Sequence, residues 1–130
     1  MQQIAPVEPK PAQQLTQSHV YHFESLPVRK NPNGSESRDV VRGELATGEH
    51  VTVHESTQPA GVPGNPPHRI EHTEIICVRE GTLEFQHDGL TERASAGDIL
   101  LVAKGTMHGV RNVGAGPASY FVVAIGGDVQ

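Results

Sequence analysis

Two stretches of this chain bring together side chains that can hold a metal ion. The first runs Pro66-Pro67-His68-Arg69-Ile70-Glu71-His72-Thr73-Glu74, and the second is Gly105-Thr106-Met107-His108. Imidazole and carboxylate together suit one divalent transition metal (Fe, Mn, Ni, Co or Zn), and the affinity order alone does not choose among these. His68, Glu74 and His108 are the expected ligands, with His72 as a fourth. Glu74 is also the candidate catalytic group, able to lower the charge of the site and to move a proton. Two histidines and one carboxylate with open positions form the facial arrangement of many non-haem iron oxygenases. A carboxylate entering an interior needs a partner, because a lone buried charge is costly.

The chain must fold back to bring these groups together. A strand sends positions 68, 70, 72 and 74 to one face, but at about 3.3 Å per residue His68 and Glu74 would stand roughly 20 Å apart. Metal bonds to nitrogen and oxygen are only about 2.0–2.2 Å long. Glu71-His72-Thr73 is polar and suits the required turn. His68 is therefore expected at the end of one strand, Glu74 at the start of the next, and His108 on a third.

The rest of the sequence supports short strands. His19 to Phe23 and Glu49 to Thr57 alternate. Ile75 to Val78 is a continuous apolar run, which suits a strand buried on both faces. Thr82 to Gln86 and Leu90 to Ala94 flank His87-Asp88-Gly89, a hairpin signal. Turn signals every eight to twelve residues, with no convincing helix, predict an all-β sandwich or barrel. Residues 1–17 are proline-bearing and lack apolar periodicity, so they read as an extended arm. Residues 18–130 read as a single β-barrel domain.

Composition narrows the partners. The 130 residues carry a net charge of −5 and no run of Lys or Arg, which argues against nucleic acid. No apolar run approaches the length of a bilayer span, so no membrane partner is expected. The single Cys77 rules out an intrachain disulfide and reads as a small buried hydrophobe. No basic n-region and apolar h-region opens the chain, which predicts a cytoplasmic protein. The Gln- and Pro-rich start resembles the spacer after a removed export signal, which would make it periplasmic. His19, His22, His50, His54 and His87 are expected to have no role.

The segment His68 to Gly81, followed by Thr82-Leu83-Glu84-Phe85, resembles the first motif of the cupin superfamily, in which Glu74 and Gly81 keep the spacing. Gly97 to Asn112 resembles the second motif, with Gly97, Gly105, His108 and Asn112 in place. The likeness covers roughly Glu49 to Ile125. Ala103 stands where the second motif prefers proline. Ile70 stands where the first motif has its second histidine, normally a metal ligand, and His72 is the only local substitute. The resemblance implies a double-stranded β-helix (jelly-roll barrel) with a site inside, and pairing as a homodimer through edge strands, for which His19 to Leu26 is the candidate. Phe85, Val102 and Phe121 are candidate apolar wall residues, and Met107 a candidate pocket residue.

The expected function is a small metal-dependent cupin, of oxygenase type, acting on a small organic molecule. The alternative is a non-catalytic cupin that binds a small ligand or a weakly held metal, a reading the Ile70 departure favours.

Overall fold

The computed structural model describes residues 13–130. Within them lie β1 (Gln14–Leu15), β2 (Val28–Lys30), β3 (Glu36–Leu45), β4 (His50–Gln58), β5 (His68–Arg69), β6 (Thr73–Glu80), β7 (Thr82–His87), β8 (Leu90–Ser95), β9 (Ile99–Val102), β10 (Met107–Asn112) and β11 (Ala118–Ile125). The large sheet runs β1-β3-β4-β11-β6-β9, with β2 also on β3, and the small sheet runs β5-β10-β7-β8. From β5 onward the chain passes repeatedly from one sheet to the other. That winding is the double-stranded β-helix.

Alternation explains the packing. On β11, Ala118, Tyr120, Val122 and Ala124 are buried and face the small sheet. Ile76 and Val78 of β6 join them in a core with Leu83, Phe85, Leu100 and Val102. The turns are built from residues that accept positive φ. Asp88 and Gly89 turn β7 into β8 with φ of 50° and 75°, as a two-residue hairpin requires. Gly81 joins β6 to β7 at φ +82°, where a Cβ would lie 2.5 Å from the Pro117 carbonyl oxygen.

Several expectations are corrected here. Residues 1–12 of the expected arm lie outside the described residues. Of the remainder, Gln14 and Leu15 pair in parallel with Glu44 and Leu45. His19 to Phe23 is not a strand. It runs irregularly into a 3-10 turn, Phe23–Ser25, because the Phe23 ring has a better site on the outer face of the large sheet. There it meets Phe121 edge-on, with ring centroids 6.2 Å apart. The Arg38 and Arg79 guanidinium groups lie 4.4 and 4.1 Å from the Phe23 ring centre, two cation–π contacts. Ile75 to Val78 is buried on one face only. Ile76 and Val78 are interior, whereas Ile75 and Cys77 are half-buried on the outer face, since the small sheet covers only one side.

That outer face also holds a buried charge. Glu55 is fully buried, 3.0 Å from the Arg38 guanidinium. The Ser119 hydroxyl donates to it at 3.0 Å, and Thr57 donates to the same carboxylate. A buried carboxylate needs such company.

Candidate ligand and metal site

Three strands bring the expected groups to one cavity. His68 and His108 are direct partners across β5 and β10, and their rings lie 4.6 Å apart, centre to centre. The chain then leaves β5. The Gly105 amide donates to the Ile70 carbonyl at 2.8 Å, Glu71 and His72 make the bend, and β6 starts at Thr73. The inward phase of β6 that buries Ile76 and Val78 also turns Glu74 inward. Glu74 Oε1 stands 3.8 Å from His108 Nε2. His108 is nearly fully buried, and its Nδ1 lies 3.3 Å from the Thr106 carbonyl. A proton on Nδ1 there leaves Nε2 as the nitrogen facing Glu74.

His72 is placed differently. It does not line the cavity. Its Nε2 bonds Glu74 Oε2 at 2.8 Å and its Nδ1 bonds Asp128 Oδ1 at 2.6 Å. Burial by itself lowers the imidazole pKa, but the hydrogen bonds and charges of Glu74 and Asp128 outweigh it, and the pKa is raised. His72 thus holds the Glu74 carboxylate from behind.

Donor chemistry and arrangement can be weighed separately. Two imidazoles and a carboxylate are a donor set that divalent transition metals accept. As placed, no three such side chains among the described residues close on a common point that would hold an ion. His68, Glu74 and His108 must draw together to do so. Ile70, at the motif's usual ligand position, is buried in the hydrophobic core and does not line the cavity, so it offers no apolar wall there.

The cavity measures about 590 Å³, ample for a small molecule. Beyond His68, Glu74 and His108 it is lined from β4 by His54, Ser56 and Gln58, and from β11 by Tyr120 and Val122. His54, expected to have no role, is therefore a cavity residue. Val51 and Val53 make β4 read as though its odd positions face the core. In fact they point to the outer face with Glu55, and the even positions look into the barrel. The alternation of Glu49 to Thr57 was the available signal, but its phase is reversed by the polar interior. Burial, the largest cause, lowers the His54 pKa against the opposing pull of Glu74 and Asp39. None of the three apolar wall candidates lines this cavity: Phe85 and Val102 are buried in the hydrophobic core, and Phe121 faces outward onto Phe23. Met107 is exposed and does not line this cavity, because it alternates with the inward His108.

Two facing sheets wound as a double-stranded β-helix, with imidazoles and a carboxylate turned into the barrel, define the class of this fold. The cupin domain model matches residues 53–124, more than half of the chain, and the chain belongs to the cupin family. Solved structures agree on the fold. An RmlC-like cupin from Shewanella frigidimarina is 17% identical, with 86% of this chain and 94% of that chain covered, at a TM-score of 0.71. KdgF from Halomonas sp. is 18% identical, with coverages of 83% and 94%, at 0.69. The polyketide cyclase RemF from Streptomyces resistomycificus is 18% identical, with coverages of 88% and 87%, at 0.66. Comparison with curated proteins finds no match.

Proposed function

We propose that this cupin is a metal-assisted enzyme that acts on a small organic molecule inside its barrel. The observation that carries the reading is the convergence of His68, Glu74 and His108 from three strands on one cavity. These three would hold a single divalent metal, and when bound it would supply Lewis-acid polarisation of a substrate oxygen. Oxygenase-type chemistry is the finer form of this reading, since two histidines and one carboxylate leave positions open. The protein's own part is to orient and to exclude water. His72 fixes one oxygen of Glu74, leaving the other toward the cavity. His108 is held in its tautomer by the Thr106 carbonyl. We further propose a homodimer. Strand β9 is an edge of the large sheet and exposes Ile99 and Leu101.

A second reading, a non-catalytic cupin that binds a small ligand or a weakly held metal, is favoured by one observation: the place of a fourth ligand is taken by a buried isoleucine. Metal content separates the two. Protein incubated with Fe(II), Mn(II) or Zn(II) and desalted should retain one ion per chain, and His108→Ala should retain none. Content that stays well below one per chain would end the metal-assisted reading and leave the binding module.

A further inference from the structure

The half of the cavity away from His68, Glu74 and His108 has its own chemistry. Register gives its layout. Glu74, Ala124 and Thr52 form one row across the large sheet, and Ile76, Val122 and His54 form the next. Ser37, Ser56 and Tyr120 form a third. Rows two residues apart are separated by about 6.8 Å, so the hydroxyl row lies some 13–14 Å of sheet from the Glu74 row.

This far end is lined by hydroxyl and amide groups: Ser37, Ser56, Gln58, Tyr120 and Asn31, with Asn65 from the loop opposite. They are pre-arranged. Asn31 Nδ2 donates to Ser37 Oγ at 3.1 Å, and Gln58 Nε2 donates to Tyr120 Oη at 2.9 Å. Burial raises the Tyr120 pKa against the smaller opposing effect of the neighbouring Ser56 hydroxyl, so the phenol stays protonated. Gln58 is buried, with 8% of its surface exposed, and its Oε1 has no partner among the described residues. A buried acceptor left unpaired costs about 1–3 kcal/mol, which a hydroxyl donor would relieve. No lysine or arginine is found among the described residues that line the cavity, whose one carboxylate is Glu74. A phosphate there would lose its hydration without gaining a cation. His54, between the two ends and with its proton affinity lowered by burial, offers a neutral ring nitrogen to a hydroxyl.

We infer that the substrate is an uncharged, hydroxyl-rich small molecule. Its hydroxyl-bearing end lies against Ser56, Gln58 and Tyr120, its middle passes His54, and its reacting end reaches His68, Glu74 and His108. The inference rests on the proposed reading in placing the reacting end, but the hydroxyl subsite needs no metal.

The test uses the full chain, stripped with EDTA, and small neutral polyols and aldoses as probes: erythritol, xylitol, sorbitol, xylose and glucose. Calorimetry and saturation-transfer NMR should show at least one of these binding, and its phosphorylated counterpart binding at least tenfold more weakly. Gln58→Leu and Ser56→Ala should each weaken that binding fivefold or more, and both variants should take up as much metal as the parent protein after incubation and desalting. Tighter binding of the phosphorylated form, absence of binding by every probe, or binding indifferent to both substitutions would each overturn the inference. Metal uptake is read on separate portions of the same proteins, incubated with Fe(II), Mn(II) or Zn(II) and desalted. Neutral probes that bind through Gln58 in a protein that takes up no metal would leave the subsite standing and remove only the metal-assisted reading.

Discussion

At the scale of single residues, the site divides into groups that face the cavity and one, His72, that holds Glu74. His54→Ala should leave metal content unchanged while His108→Ala abolishes it, a difference that elemental analysis of the two variants reads directly. Equal loss from both would mean that the metal donors are not the three named. His72 makes a different, pH-dependent contribution. Its pKa is raised in the folded protein above the ordinary value of about 6.5. Its stabilisation is therefore fully present below that value and lost as pH rises through the raised pKa. His72→Gln should lower the thermal midpoint more at about pH 5.5 than at about pH 8.5. A gap that widens with rising pH would contradict the Asp128–His72–Glu74 arrangement. Of these residues, His68, Glu74 and His108 were legible in sequence, because a bond length set against a strand rise forces a turn between the first two. His54 was not legible. The rule that valines mark the core side assumes an oily interior, and here the part of the interior that β4 faces is a polar cavity, while the valines of β4 cover the outside.

At the scale of elements, the turns and the sheet register do most of the positioning. The hairpin at Asp88-Gly89 was readable because two consecutive positive φ values narrow the choice of residues so strongly. The path of His19 to Phe23 was not, since alternation carries no information about a ring that finds two guanidinium groups elsewhere. Gly81 and Gly97 offer a controlled comparison. Both have positive φ, but a Cβ at Gly81 meets the Pro117 and Ala118 backbone, whereas at Gly97 it meets nothing within 4 Å. Gly97→Ala should cost about 1–2 kcal/mol, the ordinary strain of a left-handed residue. Gly81→Ala should cost clearly more in denaturant unfolding, and equal costs would mean that the β6–β7 junction yields freely. Ile70→Ala should lower stability by about 2–4 kcal/mol through the cavity it leaves, without changing metal content.

For the whole molecule, the outer face of the large sheet carries both the pair of Arg38 with the buried Glu55 and the exposed Ile99 and Leu101 of β9. Removing Arg38 would strand the buried Glu55 carboxylate, so Arg38→Met should destabilise by about 3–5 kcal/mol, and adding Glu55→Met should recover much of that. A double variant no more stable than the single one would show that the pair is not the source of the cost. If the protein pairs through β9, sedimentation should give a dimer that Leu101→Glu converts to monomer while the barrel stays folded. Fold class was legible from the turn spacing and the two motifs, because winding a sheet into a barrel repeats the same punctuation at each crossing. His68 itself rides on a two-residue strand, secured to the barrel through β10 and entered from a loop bearing Pro59, Pro63, Pro66 and Pro67. Insertions or deletions in that approach would leave the wound framework intact while reshaping the doorway beside the imidazoles. Descendants of this chain have there a place to acquire new clientele without relearning how to fold.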